Sequence, residues 1–162
     1  MGKLETAFDL LGFPEKFSLT EAQIEDAWRA RIALVHPDRF ASAGAAAKRV
    51  AEQWAGRLND AKTSLLDPVA RAKILLSARG VDIGEESDTR MPPDFLFRAF
   101  SLRERVEAGE REAVLREITE ERKELTEKLS TFLDVNRDDA RAREAVRELL
   151  FVEKLSRDLE SH

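Results

Sequence analysis

The sequence predicts an all-α protein in which a helical hairpin with flanking short helices precedes a three-helix bundle. Alanine, leucine, glutamate and arginine dominate the 162 residues, and tyrosine is absent, so strand-forming residue types are scarce. Apolar residues recur at the spacing of helix faces in seven segments. A stretch rich in Gly, Pro, Asp and Ser separates the first four segments from the last three. The predicted domains are therefore residues 1–79, a linker at 80–93, and the bundle at 94–162.

The overall composition excludes several classes of protein. Hydrophobic residues make up 43% of the chain and charged residues 36%, which excludes a disordered protein. The first 80 residues carry a formal charge of +2 and the rest carry −7, a distribution that argues against nucleic acid as a partner. Without cysteine, neither a disulfide nor a thiolate metal site is possible.

The sequence also predicts where the protein acts. No apolar run approaches the roughly 20 residues of a membrane span, and the N-terminus does not resemble a signal peptide. We therefore expect a soluble, cytoplasmic protein without membrane contact. The mitochondrial matrix is the alternative location if a presequence has been removed.

Four helices are predicted before the linker. The first covers about residues 6–11, the second begins after the N-capping residues 18–21, the third ends at Asp67, and the fourth covers about residues 69–79. The apolar stripe of the second helix contains Ile24, Ala27, Trp28 and Val35. The stripe of the third contains Ala47, Val50, Trp54, Leu58, Ala61 and Leu65. Because Arg31 falls on the stripe of the second helix, we expect its stem to pack and its charged head to reach outward.

Three amphipathic helices are predicted after the linker, at about residues 93–108, 110–133 and 138–159. The stripe of the first contains Phe95, Ala99, Leu102 and Val106. The stripe of the second contains Val114, Ile118, Leu125, Leu129 and Phe132. The stripe of the third contains Ala145, Leu149, Val152, Leu155 and Leu159. Amphipathic helices joined by such short turns predict a helical bundle.

The tripeptide His36-Pro37-Asp38 lies between the second and third helices. Pro37 lacks a backbone N–H and restricts the residue before it, so it should end the preceding helix. His36 and Asp38 are then displayed at an exposed corner, where polar groups favour a contact surface. A purely structural interpretation, in which the two side chains only close the turn, stays open.

Two chemical interpretations of this corner are disfavoured. General base catalysis by His36, with Asp38 orienting it, needs a pocket and a nearby nucleophile, and the flanking residues supply neither. A His-x-Asp metal pair needs further ligands, and the only other histidine is His162. We therefore expect no enzymatic activity, no metal and no cofactor.

The first helix of the bundle carries more apolar surface than its core stripe requires. At about 100° per residue, Leu96, Phe97 and Phe100 lie about 100–200° around the helix from the start of that stripe. Glu104 lies beside them, and Phe151 falls off the stripe of its own helix. An apolar patch edged by a carboxylate predicts a protein-binding helix face. Packing of these residues against the N-terminal helices is the alternative.

With its flanking helices, the corner resembles the J-domain of DnaJ-type co-chaperones. The resemblance covers residues 6–67 and includes Leu10-Leu11-Gly12, His36-Pro37-Asp38-Arg39-Phe40 and Leu58-Asn59-Asp60-Ala61. In that family the tripeptide and the basic face of the second helix dock on the ATPase domain of a DnaK-type chaperone and trigger ATP hydrolysis. The resemblance implies that His36, Pro37 and Asp38 form the stimulating contact. It also implies that Arg29 is the best-placed basic residue.

The second helix departs from the usual J-domain pattern. Ala30 and Leu34 stand where such domains often carry Lys or Arg, and Val35 replaces the usual aromatic residue before the histidine. These departures predict weaker electrostatic steering towards the chaperone, or a partner specialised for this chain.

The order of the two modules resembles the HscB family of iron–sulfur assembly co-chaperones over nearly the whole chain. The residues that carry this resemblance are Arg71-Ala72, Leu75-Leu76, Phe95-Leu96-Phe97, Phe100, Leu102-Arg103-Glu104 and Leu150-Phe151-Val152-Glu153-Lys154-Leu155. The resemblance implies two partners, an IscU-like scaffold and the DnaK-type chaperone HscA. It implies a scaffold contact formed by Leu96, Phe97, Phe100, Glu104 and Phe151. Ser101 and Ala108 stand where the family often has acidic residues, so the acidic part of this contact is reduced.

The resemblance therefore predicts a co-chaperone that binds the scaffold, delivers it to the chaperone and stimulates the chaperone's ATPase. Two alternatives stay open at this point. One is a general J-domain protein, and the other is a structural helical adaptor outside the iron–sulfur pathway.

Overall fold

The computed structural model describes residues 5–84 and 93–160, which form helices and turns without a strand. The helices are α1 (Ala7–Leu11), α2 (Glu21–Ile32), α3 (Ala45–Leu66), α4 (Pro68–Ala78), α5 (Pro93–Glu107), α6 (Arg111–Ser130) and α7 (Asp139–Glu160). Short 3-10 turns cover Ala33–Val35 and Pro37–Phe40, and a π-helical turn at Thr131–Val135 extends α6. The predicted all-α fold is confirmed. The chain divides into two compact units, residues 1–79 and 80–162.

Reciprocal capping boxes begin the first two helices. The Thr6 hydroxyl accepts from the Asp9 N–H while the Asp9 carboxylate accepts from the Thr6 N–H. Thr20 and Gln23 repeat this exchange at the start of α2. Each box satisfies backbone donors that a helix N-terminus otherwise leaves unpaired. The predicted starts of both helices therefore agree with the structure to within one residue or so.

Gly12 ends α1 in a left-handed conformation with φ of 75°. This backbone favours glycine, and a Cβ at position 12 would also collide with the guanidinium of Arg31. Arg31 is half-buried, and its Nη1 bonds back to the Ala27 carbonyl at 3.4 Å. The head of Arg31 therefore lies against the protein, whereas the sequence predicted that it reaches outward.

Side-chain bonds hold α2 and α3 together as an antiparallel hairpin. The Trp28 Nε1–H donates to Asn59 Oδ1 at 2.9 Å. The Lys62 ammonium lies 3.9 Å from the centroid of the Trp28 ring and 3.3 Å from a carboxylate oxygen of Glu25. Beneath these contacts lies an apolar core that includes Phe8, Leu11, Ile24, Leu58, Ala61 and Leu65. The hairpin is therefore stabilised by a buried apolar core and by polar side-chain contacts at its edge.

Two details of the predicted hairpin are wrong. The second α-helix ends at Ile32, and Val35 lies in the 3-10 turn that follows it rather than on the α-helical stripe. His36 is extended, as the residue before a proline requires. Val50 and Trp54, placed on the buried stripe of α3, are exposed. At 1.5 Å per residue α3 is about 33 Å long and α2 only about 18 Å, so the N-terminal turns of α3 extend beyond α2.

Arg71 joins α4 to the segment between α1 and α2. Its side chain is buried, and its Nη1 donates to the carbonyl oxygens of Leu19 at 3.2 Å and Leu65 at 3.1 Å. The guanidinium also lies 4.5 Å from the centroid of the Phe17 ring. Buried carbonyl groups require donors, and this one side chain supplies two of them.

We expect Arg71→Ala to lower the free energy of unfolding of the first unit by about 2–4 kcal/mol, because two buried acceptors lose their donor. Both tryptophans of the chain, Trp28 and Trp54, lie in this unit, so urea unfolding followed by tryptophan fluorescence reports on it alone. The exposed Lys48→Ala is a matched control on α3. If the free energy of unfolding falls no more than in the control, the stabilising role of the Arg71 hydrogen bonds would be contradicted.

In the second unit, the predicted stripes of α6 and α7 form the core. Val114, Ile118, Leu125 and Leu129 of α6 are buried, as are Ala145, Leu149, Val152, Leu155 and Leu159 of α7. Phe132 is half-buried. On α5 only Leu102 is buried, whereas Phe95, Ala99 and Val106 of its predicted stripe are half-buried.

Part of the predicted linker contacts α7. The Arg143 Nε–H donates to the Asp82 carbonyl and Arg147 Nη1 donates to the Ile83 carbonyl, each at 2.8 Å. Residues 85–92 of the predicted linker lie outside the described residues, and α5 begins at Pro93.

Candidate functional site

The His-Pro-Asp corner of the first unit is closed by bonds within a few residues. His36 has φ of −60° and ψ of 138°, and its side chain caps the turn at Pro37–Phe40. The ring nitrogen Nδ1 accepts from the Asp38 N–H at 3.2 Å, and the His36 carbonyl accepts from the Arg39 N–H at 3.0 Å. Both side chains remain in solvent, with exposed fractions of 57% for His36 and 93% for Asp38. The corner is therefore locally fixed yet accessible.

This geometry differs from that of a catalytic histidine. An orienting aspartate accepts a hydrogen bond from Nδ1–H, whereas here Nδ1 is itself the acceptor and the Asp38 carboxylate is 3.7 Å away. In the neutral ring the proton therefore resides on Nε2, which makes Nε2–H a donor. The arrangement leaves a donor of His36 and the carboxylate of Asp38 accessible to solvent.

The outer face of α2 and the 3-10 turn after it present one predicted basic contact, one small residue and one apolar residue. Arg29 is exposed, as are Ala30 and Leu34, while Arg31 is held against Gly12. Arg39, in the same turn as Asp38, is also exposed but was not among the predicted contacts. Its place directly after the tripeptide makes it a second candidate basic residue at the corner.

The apolar patch on α5, formed by Leu96, Phe97 and Phe100, is solvent-exposed. Their exposed fractions are 55%, 75% and 61%, respectively. Glu104 is exposed one turn after Phe100. Residues three and four apart are neighbours on a helix surface, so α5 brings all four onto one outward arc. Large apolar side chains grouped in solvent are typical of a protein-binding surface.

Phe151 lies at the contact between α7 and α5. It is half-buried, and its ring packs against Phe95 with a centroid distance of 4.9 Å and a tilt of 40°. Such a tilted aromatic pair is a favourable packing arrangement. Phe151 therefore packs α7 against α5 through Phe95. Sequence periodicity alone did not identify Phe95 as its partner.

Two arginine–glutamate pairs connect α5 to α6 at one side of the patch. Arg98 and Arg105 each donate both terminal nitrogens to one carboxylate, that of Glu121 and that of Glu117, respectively. The hydrogen bond to Glu121 raises the pKa of Arg98, and the hydrogen bond from Arg105 lowers the pKa of Glu117. Residue spacing along one helix does not reveal these pairs, because the two partners are 23 residues apart in the first pair and 12 in the second.

Among the described residues, no helix combines the length and the apolar composition needed to span a membrane. No group of three or more His, Asp and Glu side chains within residues 5–84 and 93–160 is arranged to hold a metal ion.

Comparison with known proteins extends the similarity over nearly the whole chain. Residues 91–160 match the family described as the HSCB C-terminal oligomerisation domain. A curated relative from Burkholderia thailandensis, the "Co-chaperone protein HscB homolog", is 45% identical over 96% of this chain and 92% of its own length.

Two solved structures are similar to this chain over nearly its whole length. The chaperone HscB from Vibrio cholerae superposes with a TM-score of 0.80 at 28% identity, covering 97% of this chain and 96% of that one. Human co-chaperone protein HscB superposes with a TM-score of 0.84 over 99% of this chain and 83% of its own, at 22% identity, a similarity of fold alone. The identity and coverage of the curated relative, together with the shared fold, show that this chain belongs to the HscB family of co-chaperones.

Proposed function

We propose that this chain binds an IscU-like scaffold, delivers it to a DnaK-type chaperone of the HscA kind, and stimulates that chaperone's ATPase to promote iron–sulfur cluster assembly. One observation carries this proposal: a family member displays two exposed surfaces, a polar corner in one unit and an apolar patch in the other. Each surface fits a different partner. The bacterial relatives support a cytoplasmic site of action.

The corner of the first unit is the proposed chaperone contact. His36 and Asp38 are held by local hydrogen bonds, so little conformational entropy is lost when a partner orders them. Pro37 fixes the backbone between them. Arg29 on α2 adds a positive charge that favours an acidic surface on the ATPase domain. The protein thus acts on ATP hydrolysis through contact, and the hydrolytic chemistry belongs to the chaperone.

The patch on α5 is the proposed scaffold contact. Burying an apolar side chain the size of Leu or Phe contributes about 1.5–3 kcal/mol, so Leu96, Phe97 and Phe100 together support a specific interaction. Glu104 adds one charged group at the edge, where polar contacts set orientation more than affinity. Phe151 contributes by holding α5 through Phe95 and by the part of its ring that remains accessible.

The proposal is tested by measuring ATP turnover of an HscA-type chaperone with this chain, with and without an IscU-type scaffold. We expect stimulation by the chain alone and further stimulation when the scaffold is present. If ATP turnover is the same with and without the scaffold, and a general DnaK chaperone is stimulated equally, the result would instead favour a general J-domain protein. No stimulation of either chaperone would contradict the proposal.

A further inference from the structure

The apolar residues of α5 do not fix the rotation of this helix about its own axis. On a helical wheel they span about 220°, interrupted by Arg103, whereas a core-facing helix needs a stripe of only about 100°. α5 buries only Leu102, while α6 buries four residues and α7 seven. Several rotations of α5 would therefore bury similar apolar area against α6 and α7.

The two arginine–glutamate pairs act on one flank of α5. Arg98 Nη1 lies 2.8 Å from Glu121 Oε1, and Arg98 Nη2 bonds to the other carboxylate oxygen. Arg105 bonds to Glu117 at 2.8 and 3.0 Å. The arginines are two turns apart on α5 and the glutamates about one turn apart on α6. Bidentate arginine–carboxylate pairs of this kind impose a defined geometry in addition to electrostatic attraction.

These pairs are partly exposed, so their contribution to stability is small. Their effect on the rotation of α5 is larger than their effect on stability. Arg98 and Arg105 both lie about 280–300° around α5 from Phe95, on the flank away from Leu96. Rolling the helix to bury Leu96 would move both arginines away from α6. The hydrogen bonds therefore distinguish between rotations that the apolar residues leave nearly equivalent.

We propose that the pairs Arg98–Glu121 and Arg105–Glu117 set the rotation of α5 and thereby keep the apolar patch facing its partner. These four residues are positioning residues that need no contact with the scaffold. The inference rests on the proposed function for its binding consequence, but the rotation itself can be measured without any partner.

The first test measures the affinity of the full chain for an IscU-type scaffold by calorimetry. We expect Arg98→Glu to raise Kd about tenfold if the presenting rotation falls to about one tenth of the population. Adding Glu121→Arg reverses the charges of the pair and should restore the affinity. Lys123→Glu makes the same charge change on an exposed position of α6 and should have no effect. Wild-type affinity in Arg98→Glu, or failure of the reversed pair to restore binding, would overturn the inference.

The second test measures rotation directly and exploits the absence of cysteine from the chain. Ser101 is half-buried on the arginine-bearing flank, so a single Ser101→Cys reports how far that flank turns into solvent. We expect Arg98→Glu to speed its alkylation and the reversed pair to slow it again, with helix content by circular dichroism unchanged. An unchanged alkylation rate in Arg98→Glu would overturn the inference.

These two tests separate the inference from the proposed function. If the wild-type chain does not bind the scaffold, the proposed function fails and the alkylation rates alone decide whether the pairs set the rotation. Should Arg98→Glu unfold the second unit, Arg98→Gln removes the pair without introducing a like charge next to Glu121. The scaffold Kd and the alkylation rate of Ser101→Cys are then measured with Arg98→Gln. We expect a higher Kd and faster alkylation, and wild-type values would overturn the inference.

Discussion

Replacing His36 by glutamine is expected to abolish stimulation of the chaperone ATPase while leaving the protein folded. Glutamine is flexible and has no ring, so it cannot reproduce the fixed imidazole whose Nδ1 caps the turn and whose Nε2–H is available to a partner. Because His36 is more than half exposed, the loss of this local bond costs about 1 kcal/mol of stability or less. Single-turnover ATP hydrolysis by an HscA-type chaperone should fall to the rate of the chaperone alone.

Asp38→Asn offers an independent variant at the same corner. It keeps the shape of a side chain that is almost fully exposed and removes only its charge. We expect an equally large loss of stimulation, because a charge-assisted contact is roughly twice as strong as a neutral one. Lys48→Gln, an exposed change on α3, serves as the control and should stimulate normally. Full stimulation by folded His36→Gln protein would contradict the assignment of the corner.

The second large effect is expected from changing Leu96, Phe97 and Phe100 together to alanine. The few hot-spot side chains at the centre of an interface cost about 2 kcal/mol or more each when truncated, and the effects are not additive. We therefore expect the scaffold Kd to rise at least about 100-fold, which corresponds to about 2.7 kcal/mol. Alanine is the best helix former, and all three positions are exposed, so α5 should remain helical.

Val135→Ala is the matched control for the patch, because Val135 is a 74% exposed apolar residue elsewhere in the same unit. It should bind the scaffold as the wild type does. The triple variant should also retain stimulation of the chaperone in the absence of scaffold, since its corner is intact. Unchanged scaffold affinity in the triple variant would show that the patch serves another purpose.

Features that depend on neighbouring residues could be predicted from the sequence. The N-capping segment of α2, the corner at His36-Pro37-Asp38 and the stripes of α6 and α7 all follow from local spacing. The exposed arc on α5 follows from helix geometry, because about 100° per residue separates it from the core stripe. The fold class and the general position of both candidate surfaces were therefore accessible from local patterns.

Features that depend on distant residues could not be predicted in this way. Val50 and Trp54 fit the periodicity of a buried stripe, but periodicity does not reveal that α2 is shorter than α3. The buried position of Arg71 depends on carbonyl groups up to 52 residues away. The contact of Phe151 with Phe95 and the pairs on α5 likewise join separate helices. Residue spacing along one helix carries no information about such partners.

Coupling between the two surfaces is best measured by mixing two variants, each lacking one surface. His36→Gln retains the patch, and the triple alanine variant retains the corner, so together they supply both contacts on separate molecules. If one chain must carry the scaffold to the chaperone, the mixture should lack the additional, scaffold-dependent ATP turnover that the wild type gives. Recovery of wild-type turnover by the mixture would contradict delivery of the scaffold by a single chain.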